Sequence, residues 1–195
     1  MTEKGEKDGK KEKSQEIDYS YEKFIEEGKK LCLETNNTFK FCLNELLNIN
    51  YIQGNLNVSE NIILELDILF SEVYFLPVMY FQIYKDGIPY DFDKYIKEYP
   101  SVNEDLLKNA VISKENHPFT GRVYNFMHLC KFNFMIKSIP NLKNILYFWL
   151  GLVLQIFNFD IIILFPLFIK SKESKFYYNI LLAKINLGKI IKLHK

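Results

Sequence analysis

The spacing of the hydrophobic positions changes several times along the chain, which predicts a mixture of helices and strands. From Tyr19 the apolar residues recur with a period near 3.6, and the polar run 35–37 ends this predicted helix. The next stretch, 39–51, has no decisive period. Gly54-Asn55 followed by 61–75 predicts a hairpin, because the apolar positions from Ile62 onward mostly alternate with a period of two.

The clearest strand of the sequence is 78–84, VMYFQIY. Asp86-Gly87 directly after it predicts a tight turn. Proline cannot donate a hydrogen bond to a neighbouring strand, so Pro77 predicts a sheet edge or a bulge where this strand begins.

Two short helices and a strand are predicted next. Residues 91–99 have a helical apolar side that Pro100 terminates, and the capping-box pattern of 101–104 opens a second short helix through Ala110. Glu115-Asn116-His117-Pro118 indicates a polar turn. The β-branched and aromatic run 122–129 then predicts a strand that ends on Cys130.

The chain is strongly apolar beyond Pro140. A broad apolar stripe over 141–157 predicts a buried helix, followed by a separate apolar segment from Ile161. A single membrane span over 145–169 is the alternative. Asp160 would lie inside that span, and a central aspartate costs about 2.5–3.5 kcal/mol on insertion scales. The two-segment interpretation is therefore favoured.

Composition narrows the possible classes of protein. The chain has 195 residues, of which 48% are hydrophobic, so one domain with a sizeable core is expected. Its formal net charge of +1 offers no electrostatic footprint for nucleic acid. Three widely spaced cysteines and no signal peptide indicate a reducing, cytoplasmic location. Residues 1–16 are densely charged and almost without aliphatic side chains, which predicts a disordered tail.

Cys130 is the main candidate for chemistry. It follows a predicted strand, and His128 lies two residues before it, so a thiolate there could meet a reaction partner. The alternative is that Cys130 is a buried small hydrophobic residue. A metal site that combines Cys130 with His117, His128 and His194 fits no usual zinc spacing and is disfavoured.

Three blocks of this sequence resemble the autophagy E2-like enzymes, and most closely the autophagy-related protein 10 family. The blocks are the strand pair 71–81 with its Asp-Gly turn, the Glu115-Asn116-His117-Pro118 turn with the Met127-His128-Leu129-Cys130-Lys131 strand end, and the tryptophan-bearing 147–153. The sister autophagy-related protein 3 family shares the Asn-His-Pro turn and the cysteine context. It carries a long insertion for which this chain has no room, so it is the less similar of the two.

The resemblance implies a ubiquitin-conjugating-like α+β fold, with an antiparallel sheet of about four strands backed by helices. It places an E2-like catalytic domain at 17–160 and leaves 161–195 as a divergent extension. It implies that Cys130 carries the ubiquitin-like autophagy-related protein 12 as a thioester and passes it to a lysine of autophagy-related protein 5. The E1-like autophagy-related protein 7 would load it, without a metal or a diffusible cofactor.

The resemblance also suggests helper residues. His128, Asn125 and Tyr74 are expected to stabilise the oxyanion or to position the reacting groups, and His117 is expected to hold its turn through a backbone hydrogen bond. Leu129 stands where the family carries proline. A second interpretation is therefore a scaffold that keeps the fold and binds modifier or acceptor without turnover. A third interpretation is a small membrane-anchored protein. The E2-like transferase, in contrast, would make at most transient membrane contact.

Overall fold

The computed structural model describes residues 19–35, 38–99, 104–129 and 144–157, together with 132, 136, 142 and 159; at 104 and 105 it describes the backbone alone. The predicted charged tail 1–16, Cys130 and the predicted extension 161–195 lie outside these residues.

A seven-stranded antiparallel sheet forms the centre of the molecule. The strands are β1 (Phe39–Asn44), β2 (Ile49–Ser59), β3 (Ile62–Ser71), β4 (Leu76–Lys85), β5 (Ile88–Tyr90), β6 (Ala110–Asn116) and β7 (Val123–Leu129). Their order is β1-β2-β3-β4-β7-β6, and β5 pairs with β4 beside β7. The predicted antiparallel α+β fold is confirmed, with seven strands where about four were expected.

The alternation predicted for the central strands is confirmed. Ile62, Leu64, Leu66 and Ile68 of β3 all point to one side and are fully buried there. After β4, Asp86 and Gly87 both have positive φ, as the tight turn predicted for Asp-Gly requires. Pro77 pairs with Phe70 of β3, at a point where β7 does not yet cover the other edge of β4.

One glycine has a different role from the predicted one. Gly54 and Asn55 lie inside β2, and the hairpin that joins β2 to β3 turns at residues 60 and 61 instead. A Cβ atom at position 54 would lie 2.7 Å from Cε1 of Phe39, so glycine is needed there for close packing of a ring. The prediction of a turn at Gly54-Asn55 was therefore wrong, although the hairpin itself exists.

Four helices have both ends among the described residues. They are α1 (Tyr21–Glu34), α2 (Phe92–Glu98), α3 (Glu104–Leu107) and α4 (Ile145–Ile156). The predicted helices near 19–34, 91–99 and 141–157 are thereby confirmed. None of the described helices is long and apolar enough to cross a membrane.

The helices cover one side of the sheet, which we call the core face. It is formed by the buried apolar side chains of every second strand residue, and it packs against the helices. Phe24 and Leu31 of α1 are fully buried in this core, as is Trp149 of α4. Near the other end of the core, the ring of Phe81 meets Phe92 at 5.4 Å and Phe157 at 5.1 Å.

A buried carboxylate holds the start of α4. Asn144 makes no side-chain cap for this helix. Glu27 of α1 replaces that cap by accepting the backbone N–H groups of Ile145 at 3.2 Å and Leu146 at 2.8 Å. At the other end, the hydroxyl of Tyr95 donates to the carbonyl of Phe157 at 2.9 Å. Both ends of α4 are therefore fixed by side chains from other helices.

The region before the candidate cysteine differs from its prediction. α3 ends at Leu107 rather than at Ala110, and Ala110–Asn116 forms the edge strand β6. Glu115 and Asn116, which were assigned to a turn, belong to that strand. An edge strand whose side chains are mostly exposed lacks a hydrophobic alternation, so periodicity gave no sign of it. The strand predicted after the turn is confirmed as β7.

Candidate active site

Two of the predicted helper residues lie against each other. The ring of His128, the penultimate residue of β7, stacks on the ring of Tyr74 with centroids 4.4 Å apart and planes 13° apart. Tyr74 lies in the turn between β3 and β4, where its backbone N–H donates to Oγ of Ser71 at 3.3 Å. The structure thus joins Tyr74 and His128 across more than 50 residues of sequence.

The turn that carries Tyr74 has an unusual backbone. Phe75 has a φ of 52°, a left-handed conformation that bulky residues seldom adopt. Its side chain is 63% exposed and that of Val73 is 80% exposed. Phe75 is therefore strained next to the stacked Tyr74, and burial of its own ring does not explain that strain.

Burial determines the charge of His128. Partial burial lowers the pKa of the imidazole below its usual value, and the negative charge of Glu115 opposes this only in part. His128 is therefore predominantly neutral at pH 7. A neutral imidazole can donate one N–H and can also accept a proton, which suits a positioning or hydrogen-bonding role better than that of a fixed cation.

Asn125 lies on the other side of the sheet from His128. The two residues are three positions apart in the same strand, so their side chains point to opposite faces. Asn125 shares the side of buried Met127, and its Nδ2 donates to the carbonyl of Phe81 in β4 at 3.3 Å. The structure therefore does not bring Asn125 to the Tyr74–His128 pair.

A shallow pocket lies where β5 and β7 separate along the edge of β4. Its volume is about 330 Å³, and Asn125 is in its wall. Lys114 also lines it and makes an ion pair with Asp91 at 3.0 Å. This pocket is separate from the Tyr74–His128 pair, because neither ring contributes to its lining.

His117 holds its turn as expected. Its Nδ1 accepts the backbone N–H of Phe119 at 3.3 Å, and its own backbone N–H donates to the carbonyl of Arg122 at 2.8 Å. Gly121, with φ of 65°, donates its N–H to the carbonyl of His117 at 2.9 Å. The predicted role of His117 in holding the turn 117–122 is confirmed by these bonds.

Sequence reasoning did not find the partner of His117. Asp67 of β3 is only 5% exposed, and its Oδ2 lies 3.1 Å from Nε2 of the fully buried His117. The only sequence signal was an acidic residue in the middle of an apolar strand. At an alternating position such a residue is ordinarily exposed to solvent, so its burial could not be predicted.

Cys130, the predicted nucleophile, lies outside the described residues and directly follows β7 in the sequence. Within the described part of the chain, no group of three or more His, Cys, Asp or Glu side chains could hold a metal ion. His194 lies outside that part.

Comparison with known proteins identifies the family. A solved structure described as "Solution structures of KmAtg10" is 15% identical to this chain, with a TM-score of 0.46 and coverage of 73% of this chain and 97% of that one. That similarity is too low to transfer site residues. No curated protein matches the sequence. The family model "Autophagocytosis associated protein, active-site domain" matches residues 3–162. The chain therefore belongs to this family, the E2-like active-site domains of the Atg3/Atg10 type.

Proposed function

We propose that the chain is an E2-like transferase that carries autophagy-related protein 12 as a thioester on Cys130 and transfers it to a lysine of autophagy-related protein 5. The observation that carries this proposal is the Tyr74–His128 stack at the end of β7, directly before the only cysteine in the Asn-His-Pro…His-x-Cys context. Family membership supports the class of enzyme. The identity of modifier and acceptor rests on the closer resemblance to autophagy-related protein 10.

The proposed chemistry has two acyl transfers. The Cys130 thiolate attacks the thioester carbonyl that links the modifier to the E1-like autophagy-related protein 7. A new C–S bond forms, and the thiolate of the E1-like enzyme leaves. The neutral amine of the acceptor lysine then attacks the Cys130 thioester, a C–N bond forms, the Cys130 thiolate leaves and the nitrogen loses a proton to solvent or a base. The ATP is consumed earlier, when the modifier is activated.

The helper residues receive different roles in this proposal. The N–H of a neutral His128 is suited to stabilise the tetrahedral oxyanion, and Tyr74 holds the plane of that imidazole by stacking. Asn125 holds β7 against β4 through Phe81, so its part is to support the strand. In this proposal His128 contacts the reacting atoms, whereas Asn125 acts only by supporting the strand.

The other two cysteines offer matched controls. Cys32 lies on α1, where burial raises the pKa of its thiol to about 11, so it is almost entirely protonated at pH 7. Cys42 lies in β1, where its thiol donates to the carbonyl of Lys40 at 3.7 Å. Neither follows β7, so neither is expected to carry the modifier.

The test is a charging reaction with the E1-like enzyme, ATP and modifier, read on a non-reducing gel. The wild-type protein should form an adduct that a thiol reagent removes, Cys130→Ser an adduct that resists the reagent, and Cys130→Ala none. Cys32→Ala and Cys42→Ala should charge as the wild type does. An adduct on Cys130→Ala, or its loss in Cys32→Ala, would show that the nucleophile is misassigned.

One observation favours a second function. Leu129 replaces the proline that precedes the cysteine in related enzymes, which removes a constraint on the approach of the chain. The alternative is a scaffold that binds modifier or acceptor without turnover. Binding by the wild-type protein together with a complete failure to charge would favour it.

A further inference from the structure

A buried polar pair lies on the side of the sheet away from the helices, which we call the outer face. Asp67 and His117 are 5% and 1% exposed, and their side chains approach to 3.1 Å. This approach is not a hydrogen bond, however. Among the described residues neither Nε2 of His117 nor Oδ1 of Asp67 has a hydrogen-bond partner. Such an arrangement costs free energy, because a buried carboxylate oxygen without a donor loses its hydration.

Stability alone does not explain this pair. Two residues further along β3, on the same face, the apolar Leu69 is buried beside Val78. A pair of apolar residues in place of Asp67 and His117 would avoid the buried charge and is often as stable or more so. The polar groups therefore suggest a role in orientation.

The pair fixes the plane of one ring. The backbone N–H of Phe119 donates to Nδ1 of His117, which leaves Nε2 as the ring nitrogen that faces Asp67, 3.1 Å from Oδ2. With Nδ1 bonded to the backbone and Nε2 packed against the Asp67 carboxyl group, the ring is held nearly edge-on to Tyr80, at 4.9 Å and 71°. A phenyl ring at this position would lack the hydrogen bond from Phe119.

A continuous row of rings leads from this pair to the candidate site. His117 contacts Tyr80 at 4.9 Å, Tyr80 contacts Phe126 at 5.1 Å, and Phe126 contacts His128 at 5.9 Å. The row ends at the stack of His128 on Tyr74 at 4.4 Å. The backbone register supports the row, because Asp67, Tyr80 and Phe126 are direct neighbours across β3, β4 and β7.

We infer that Asp67 and His117 are positioning residues for the candidate active site. By fixing the plane of the His117 ring they hold Tyr80 and Phe126, and these hold the His128 imidazole in its stack on Tyr74. Neither residue touches the reacting groups. The effect of the pair on acyl transfer rests on the proposed function, whereas its effect on the His128 ring does not.

The deciding variant is the double substitution Asp67→Leu with His117→Phe. It keeps a ring and apolar packing and leaves no buried charge unpaired, so the fold should persist. The position of His128 is read from the NMR shift of its ring proton, which lies in the ring current of Tyr74. Tyr74→Leu supplies the unstacked reference. Glu65→Leu is the matched control, since Glu65 is on the same face of β3 but outside the row.

We expect the double variant to move the His128 signal towards the Tyr74→Leu reference and to slow charging by about 10-fold or more, because small displacements can cost up to about 100-fold. The Glu65→Leu control should keep both values close to those of the wild type. Should the double variant fail to fold, Tyr80→Leu removes the ring that links His117 to Phe126. It should give the same two changes.

An unmoved His128 signal in the folded variant overturns the inference, whatever the charging assay gives. A moved signal with charging at the rate of the control overturns the role in the reaction. If the wild-type protein never charges, the proposed function fails, and the His128 signal alone then decides whether the pair positions the ring.

Discussion

The two faces of the sheet differ in what they bury. The core face meets α1, α2 and α4 with aliphatic and aromatic side chains that are almost all fully enclosed. The outer face carries an ionisable pair, a row of rings and the Tyr74–His128 stack, and helices do not cover it among the described residues. Because successive residues of a strand point to opposite faces, the same strands supply both.

This difference separates stability from chemistry. Removing a side chain from the core face leaves a cavity that the packed interior cannot close, so the free energy of unfolding should fall. Removing a half-exposed ring from the outer face leaves a gap that water can fill. Variants of the half-exposed rings on the outer face should therefore change the reaction more than the fold.

The largest effect is expected at Trp149 on α4. Its side chain is fully buried, so Trp149→Ala should lower the free energy of unfolding by about 3–5 kcal/mol. Phe148, the next residue on the same helix, is only half-buried, and Phe148→Ala should cost distinctly less. Denaturant unfolding monitored by circular dichroism measures both. Equal losses for the two variants would contradict the placement of α4.

On the outer face, His128→Ala should slow charging and transfer by about 100-fold, the scale expected when an oxyanion donor is removed. Its free energy of unfolding should stay within about 1 kcal/mol of the wild type, because the ring is half-exposed. Tyr74→Phe keeps a stacking ring and should retain most of the activity. Single-turnover charging assays decide between these results, and undiminished transfer by His128→Ala would remove His128 from the mechanism.

Glu27 is the exception on the core face, since it is a buried carboxylate. Glu27→Ala should lower the free energy of unfolding by about 1–3 kcal/mol, because two N–H groups at the start of α4 lose their acceptor. Glu27→Gln keeps an acceptor oxygen and should cost less. Thermal unfolding of both variants at one pH provides the measurement. If Glu27→Ala is as stable as the wild type, α4 is held by packing alone.

The pH dependence of Glu27 has a definite sign. Burial raises the pKa of this carboxyl in the folded protein above its ordinary value, despite the hydrogen bonds from Leu146 and Ile145. Its protonated form therefore favours folding. The stabilisation is complete below the unfolded pKa and is lost as the pH rises through the folded one. As the pH rises over that window, the wild type should therefore lose stability relative to Glu27→Gln. A stability difference that does not change with pH would contradict the raised pKa.

The smallest effect is expected at the charged tail 2–16. Its composition offers no apolar surface to either face, so deleting it should leave the free energy of unfolding unchanged. A loss of more than about 1 kcal/mol, as for an ordinary destabilising substitution, would show that the tail docks on the protein. Chemical unfolding of the truncated and full-length chains provides the comparison.

Periodicity found the elements that have one buried face and missed those that do not. β3, β4 and α1 have clear periods of two or 3.6, and all three were predicted. β6 is an exposed edge strand with little apolar pattern, and it was mistaken for a helix end and a turn. Gly54 was misassigned for a related reason, because a glycine needed for close packing in a strand has the same sequence signature as a glycine in a turn.

The sequence by itself determined the fold class, the central strands, the helices α1, α2 and α4, and the family resemblance through its short motifs. These depend on local spacing and on residue type, which a single chain displays directly. Only the tertiary structure placed Tyr74 on His128, bonded Asn125 to the carbonyl of Phe81 and buried Asp67 against His117. Such contacts join residues that lie far apart in the sequence, and their geometry follows from strand register and loop closure, which hydrophobic spacing does not encode.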